Sequence, residues 1–334
     1  MKNIKVIIYG CGVMGRKIAE VIQNKTSLSI VGAIDISPEL TSQDLGQLFE
    51  NPTNTGIIIT NTPEKLLAET EADVAVITTT SYLPDVKPQI FTCLKAGLNV
   101  VSTCEELSYP WKRHPQLAQE IDQEAKQAGK TVVGTGINPG FLMDFLPLTL
   151  TSPCLKVNSI KVTRMMNSAR RRLPFQKKVG TGLTPEEFQE KISQKIITGH
   201  VGLLESINMI ADSLHWKLDK AVELPPEPVI AEKPTPTGFG EVEPGKVIGL
   251  KSVAYGLQNG RQVIILEFYA YAGVEEEYDE VIVDGVPTIH EKIIGGVHGD
   301  IGTVSMTINT IPRTVEALPG LKVMSELPPP VVIP

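Results

Sequence analysis

Ile4-Lys5-Val6-Ile7-Ile8-Tyr9-Gly10-Cys11-Gly12-Val13-Met14-Gly15-Arg16 reads as strand, glycine turn and helix in immediate succession. Val6 to Tyr9 is short, apolar and β-branched, which suits a parallel strand buried on both faces. The three glycines do different things. Gly10 permits the tight turn, Gly12 lets backbone N–H groups approach a pyrophosphate, and Gly15 lets the helix pack closely on the strand. The helix Gly15 to Gln23 leads to a second strand, Ser29 to Ile34, that ends in Asp35. A glycine pattern alone says little, but inside a full βαβ unit with an acid about twenty residues on it points to a dinucleotide site. Asp35 suits a ribose 2′-hydroxyl and favours NAD, whereas Arg16 suits a 2′-phosphate and favours NADP. Cys11, Val13 and Met14 complete the turn.

Bulk properties narrow the partners. The 334 residues are enough for two domains, and 42% hydrophobic with 21% charged residues is ordinary globular composition. A net charge of -7 disfavours a nucleic-acid partner, whose phosphates need a basic face. The start Met1-Lys2-Asn3 passes into a strand without an apolar leader, and no long apolar run follows, so a cytoplasmic protein without a membrane partner is expected. Cys11, Cys93, Cys104 and Cys154 show no paired spacing, and the five histidines are dispersed, so no metal is expected.

Further βα units follow. Ser42 to Phe49 reads as a short helix, Ile57 to Thr60 as a strand, Thr62 to Glu69 as a helix and Val74 to Thr78 as a buried strand. That strand runs into Thr78-Thr79-Thr80-Ser81-Tyr82, at the end where parallel strands present ligands, so Thr78, Thr79 and Thr80 are cofactor candidates or, alternatively, caps for the helix Pro84 to Ala96. Asn99 to Thr103 is the next strand, and Thr103-Cys104-Glu105-Glu106 stands at its C-terminal end. A carboxylate there can take a proton or hold a cation. Either glutamate can instead serve the positive end of a helix. After the helix Gln116 to Ala128 and the strand Thr131 to Gly134, Gly136-Ile137-Asn138-Pro139-Gly140-Phe141 leads to an apolar helix, Phe141 to Leu150. Its glycines imply close backbone approach, with Asn138 at the nicotinamide end, or an interdomain hinge.

From residue 151 a second domain of longer strands is expected. Val157 to Met166 is a strand, followed by a basic loop with Arg171, Lys177 and Thr181 that can receive a carboxylate or simply be solvated. Thr184-Pro185-Glu186-Glu187 is a capping box, and a helix begins near His200, a weaker polar candidate. The proline-rich Ala221 to Gly245 lacks periodicity and reads as an extended connection or flap. Asn259-Gly260 marks a hairpin between Lys246 to Leu257 and Arg261 to Tyr271, and Asp284-Gly285 suggests another. A helix near Thr303 to Ile311 returns toward the first domain. The expected organisation is α/β: residues 1–150 with a doubly wound parallel sheet, 151–300 an α+β domain on an antiparallel meander, and 301–334 a helix and tail.

Tyr9 to Gly15, Cys104-Glu105-Glu106-Leu107, Gly136 to Phe141 and Gly199-His200-Val201-Gly202-Leu203 together resemble the 2,4-diaminopentanoate dehydrogenases and native amine dehydrogenases, with dihydrodipicolinate reductase and homoserine dehydrogenase as wider relatives. The chain lacks the reductase's paired-histidine segment and has Glu105 where homoserine dehydrogenase has its strand-end lysine. The resemblance implies a Rossmann domain, a homodimer formed through the second domain, NAD or NADP as cofactor, and oxidative deamination of 2,4-diaminopentanoate at C4 to 2-amino-4-oxopentanoate and ammonia within ornithine degradation. Glu105 is then the catalytic carboxylate. Asn138, Pro139, Phe141, Arg171, Lys177, Thr181 and His200 are candidates for substrate contacts. A related dehydrogenase acting on an alcohol or cyclic imine, or a non-catalytic NAD(P) sensor, are the rival readings.

Overall fold

The computed structural model describes residues 3–334; Met1 and Lys2 lie outside the described residues. Two compact units divide the chain, one running to Phe141 and resuming at His298–Pro334, the other Leu142–Val297.

The first unit is a seven-stranded sheet in the order β16-β6-β5-β4-β1-β2-β3, all its ladders parallel. Its strands are β1 (Ile4–Tyr9), β2 (Leu28–Ile34), β3 (Ile59–Thr60), β4 (Val74–Ile77), β5 (Asn99–Ser102), β6 (Thr131–Gly134) and, from the end of the chain, β16 (Gly320–Lys322). Helices α1 (Val13–Gln23), α2 (Pro63–Glu69), α3 (Leu83–Lys95) and α4 (Pro115–Ala128) connect them. The expected helix over 42–49 shrinks to one 3-10 turn, Leu45–Leu48, because Asp44 gathers the amides of Gly46, Thr55 and Gly56 and holds the segment as a loop. Strands β4, β5 and β6 are buried throughout, as residues covered by helices on both faces must be. Ile7, Ile34, Ala75 and Val100 pack on one side and Val6, Ile8, Val74 and Val101 on the other. The strand order reverses between β1 and β4, the place where such sheets open a crevice at their C-terminal ends.

Helix α9 (Gly299–Glu316) belongs to this unit. Val304, Ile308 and Ile311 join the core against α1, and Lys17 meets Asp300 at 3.3 Å. The tail returns as well, with Ile333 buried and its carbonyl accepting a hydrogen bond from Lys25 at 2.6 Å.

In the second unit a sheet runs β15-β14-β7-β13-β12-β8, with β9 also on β12. Its strands are β7 (Lys156–Asn167), β8 (Lys220–Glu223), β9 (Glu227–Ile230), β12 (Val247–Gln258), β13 (Arg261–Tyr271), β14 (Tyr278–Val286) and β15 (Ile289–Ile294), with β10 (Thr235–Thr237) and β11 (Gly240–Val242) forming a separate hairpin. Helices α5 (Phe145–Leu150), α6 (Leu173–Lys178), α7 (Pro185–Ser193) and α8 (Leu203–Ser213) accompany it. Three expectations are corrected. The sheet is mixed, since β7 and β13 run parallel. The proline-rich stretch holds strands β8 to β11, whose ladders are supplied by β12 and by the hairpin itself. Helix α5 starts only after Asp144, whose carboxylate accepts the Phe145 amide, and it packs on α8 and β14, so the unit border falls at 141/142 rather than 150/151. Along β13, Ile264, Leu266, Phe268 and Ala270 are buried while Ile265, Glu267, Tyr269 and Tyr271 are half-buried on the other parity.

Candidate functional site

The glycine turn is built as a cradle. Gly10 has φ +99°, and a Cβ on Gly15 would stand 1.8 Å from the Gly10 carbonyl, so the first turn of α1 can lie this close to β1 only with glycine there. Gly12 is the N-cap of α1, and nothing lies within 4 Å of where its Cβ would be. The space above it is open to an anion, toward which the first-turn amides of Val13, Met14 and Gly15 point. Asp35, at the end of β2, accepts the Cys11 amide at 2.6 Å and the Ser37 amide at 2.8 Å. Its carboxylate is thereby fixed to the turn. Tyr9, Gly10, Gly12, Asp35, Ile36, Thr78, Thr79, Thr80, Asp85 and Gln89 line a cleft of about 370 Å³. Cradle, open space and cleft-lining acid together fit a dinucleotide.

The threonines do not cap α3. Thr78 donates to the Gly10 carbonyl at 2.8 Å, Thr79 donates to Gln89 at 2.6 Å, and the Leu83 amide that opens the helix is taken by Glu106 at 2.8 Å. Beyond the same loop lies a second cleft, about 270 Å³, lined by Met14, Thr78, Thr79, Thr80, Ser81, Thr103, Glu105 and Thr303. The two clefts share Thr78, Thr79 and Thr80 on their walls.

Glu105 and Glu106 share a single 3-10 turn, Glu105–Leu107, and separate in role. Glu106 is buried, with its carboxylate on the Leu83 amide, on His114 at 2.9 Å and on Arg113 at 3.3 Å, while its own amide donates to the Ser81 carbonyl. It ties the turn to the threonine loop. Glu105 lines the second cleft, where a carboxylate can hold a proton or a cation. Cys104 is buried, and burial raises its thiol pKa, so only its backbone is available to a ligand. Burial likewise pushes Cys11 up to about 12. Arg16 lines neither cleft.

The Gly136 to Phe141 loop follows β6 and contains a cis Asn138–Pro139 peptide. Its Ile137 amide donates to Thr303 Oγ1 at 3.4 Å, which brings the neighbour of Asn138 to a residue of the second cleft. Phe141, expected inside a helix, closes the first unit ahead of α5.

In the second unit the basic loop is partly helical, with α6 carrying Lys177 and Lys178. Lys177, Lys178, Lys191 and buried Thr181 line a pocket of about 420 Å³. Arg171 lies over the Phe175 ring instead, at 4.8 Å. His200 precedes α8 rather than starting it, because Gly202 is the N-cap. Its ring stacks on Phe268 with centroids 4.5 Å apart, and burial, reinforced by the cations of Arg164 and Lys178, pushes its pKa down to about 3. The ring is therefore neutral.

Arg164 is a residue that motif reading passes over. On β7 it is only 2% exposed, opposite Phe268 on one side and Asp279 on the other. Nη2 donates to the Val297 carbonyl at 2.7 Å, Asp279 lies 3.7 Å from Nε, and Nη1 has no hydrogen-bond partner among the described residues. Burial lowers its pKa, Asp279 opposes that and nearby Arg171 adds to it. A signal for it exists: in Ile160-Lys161-Val162-Thr163-Arg164-Met165-Met166 a charge occupies the inward, apolar parity. Ile36, Asp85 and Gln89 escape because nothing in the sequence ties α3 to the dinucleotide turn, and Thr303 because it lies far along the chain.

Comparison with known proteins gives the same picture over the whole chain. The family described as 2,4-diaminopentanoate dehydrogenase C-terminal domain matches residues 141–334, and dihydrodipicolinate reductase, N-terminus, matches residues 4–104. A 2,4-diaminopentanoate dehydrogenase from Acetoanaerobium sticklandii is 34% identical over 338 residues, spanning 99% of this chain and 95% of the relative. An amine dehydrogenase from Streptomyces virginiae is 21% identical over 350 residues, 97% and 96% of the two chains. The solved structure of an amine dehydrogenase from Mycobacterium smegmatis superposes with a TM-score of 0.84 at 25% identity, covering 99% of this chain and 97% of that one.

Proposed function

The chain belongs to the 2,4-diaminopentanoate dehydrogenase family, and from that premise we propose that it is an NAD(P)-dependent amine dehydrogenase that oxidatively deaminates 2,4-diaminopentanoate to 2-amino-4-oxopentanoate and ammonia. The observation that carries this reading is Glu105, a carboxylate on the wall of a cleft that shares Thr78, Thr79 and Thr80 with the cleft at the glycine turn.

In this reading the Gly10 to Gly15 turn, with the Cys11, Val13 and Met14 backbone, holds the pyrophosphate, Asp35 the adenosine ribose, and Thr78, Thr79, Thr80, Thr103, Asn138 and the Cys104 backbone the remaining length. When bound, the dinucleotide supplies a nicotinamide ring that accepts hydride. Glu105 takes a proton from the substrate's ammonium group, freeing the nitrogen lone pair, and passes that proton to solvent, which returns Glu105 to the carboxylate form. As hydride leaves C4, positive charge develops on the C–N unit, and the Glu105 carboxylate stabilises that iminium more than the neutral amine. Water then adds to the carbon and gives a proton to Glu105, and Glu105 returns it to the nitrogen. The C–N bond breaks to release ammonia as the new hydroxyl gives its proton back to the carboxylate and becomes the ketone oxygen.

Asp35 favours NAD. Its carboxylate repels a 2′-phosphate, Asp85 adds a second acid to the same cleft, and Arg16 is not on its wall. Asn138, Pro139 and Phe141 remain proposed substrate contacts, and Arg171, Lys177, Thr181 and His200 proposed carboxylate contacts, with Lys177 and Thr181 on the wall of one pocket. The proposal includes a homodimer and a place in the cytoplasm within ornithine degradation, as the resemblance implies. No helix among the described residues is long and apolar enough to cross a membrane.

Running the reaction in reverse tests the reading. 2-Amino-4-oxopentanoate, isotopically labelled ammonium and NADH or NADPH should yield diamine labelled at C4. Ketone reduced to an alcohol without uptake of label would overturn it.

A further inference from the structure

Thr303 occupies an unusual position among the threonines of α9. Thr307 and Thr314 both turn their hydroxyls back onto the helix, donating to the carbonyls of Thr303 at 2.7 Å and Thr310 at 3.0 Å. Thr303 makes no such bond. Its Oγ1 accepts the Ile137 amide at 3.4 Å, and among the described residues its O–H has no acceptor. The same side chain is part of the wall of the second cleft, with Thr103 and Glu105. The core residues Val304, Ile308 and Ile311 and the Lys17–Asp300 pair fix the helix that carries it.

A hydroxyl used as an acceptor on one side and unfilled as a donor, on a rigid helix beside the reacting carboxylate, is suited to a neutral carbonyl oxygen. We propose that Thr303 binds the nicotinamide end of the dinucleotide, its O–H donating to the ring's carboxamide oxygen and its Oγ1 linking that contact to the Asn138 loop through Ile137. The proposal rests on the dinucleotide reading of the first unit. It gives α9 a purpose besides packing: the chain returns to the first unit carrying one wall of the reaction site.

The test is calorimetric binding of NAD and of ADP-ribose, which lacks nicotinamide, to the wild type, Thr303→Val and Thr303→Ser. Loss of one neutral hydrogen bond predicts NAD binding weakened roughly 3- to 10-fold in Thr303→Val, unchanged ADP-ribose binding, and recovery in Thr303→Ser. A merely structural threonine would weaken both ligands alike. Equal weakening of both, or undiminished NAD binding in Thr303→Val, would overturn the proposal. A wild type that binds neither ligand would overturn the dinucleotide reading and this proposal with it. Thermal melting of each variant confirms that folded protein is compared.

Discussion

Glu105 and Glu106 are consecutive in the chain, yet one lines the cleft and the other is 3% exposed, its carboxylate 2.8 Å from the Leu83 amide and 2.9 Å from His114. The buried acid anchors the turn on which the cleft-lining acid stands.

Replacing Glu105 with Gln keeps size and removes the proposed base. Turnover of 2,4-diaminopentanoate should fall on the order of 10²- to 10⁴-fold, with NAD affinity and melting temperature preserved, as read by steady-state kinetics and calorimetry. Near-normal turnover would remove Glu105 from the chemistry.

For Glu106→Ala the opposite pattern is expected. The Leu83 amide loses its acceptor inside the fold, which costs about 1–3 kcal/mol in urea denaturation. Glu106→Gln retains an oxygen for that amide and should recover part of the loss.

Asp35→Ser should shift cofactor choice. Removing a carboxylate from the wall of the first cleft relieves like-charge repulsion of a 2′-phosphate, and the ratio of kcat/KM for NADP to that for NAD should rise by roughly 10-fold or more. An unchanged ratio would place selectivity at another residue.

His200 supplies a pH prediction. Folded, its pKa is about 3; unfolded, it returns to near 6.5. Between those values the unfolded chain binds more protons, so this contribution is present above about pH 6.5 and is lost as pH falls toward 3. From pH 7 to pH 5 the wild type should lose about 2 kcal/mol more stability than His200→Gln, measured by urea unfolding at both values.

Local chemistry is the part of the structure that can be read ahead. The glycine turn and Asp35 need only neighbours in sequence, and so do the Thr184 capping box, with bonds of 2.8 and 3.2 Å, and the Asn259-Gly260 turn, where both residues have positive φ. Strand β13 runs Arg261–Tyr271, the span its alternation predicts. What escapes depends on distant partners. Strands β8 and β9 exist because β12 offers them a ladder, and proline density conceals that. The parallel pairing of β7 with β13 is invisible to local pattern. Of two adjacent glutamates, the sequence cannot tell which meets Leu83, His114 and Arg113, and which meets the cleft. Thr303 joins the site only through the return of α9.

The most direct measurement of the central claim is the ultraviolet absorbance of reduced cofactor produced from 2,4-diaminopentanoate, run in parallel with NAD and NADP and followed by an ammonia assay. Amine dehydrogenation predicts reduced cofactor and ammonia in equal amounts, with NAD the better acceptor. Cofactor reduced without ammonia, or no reduction by protein that binds the dinucleotide, would contradict it.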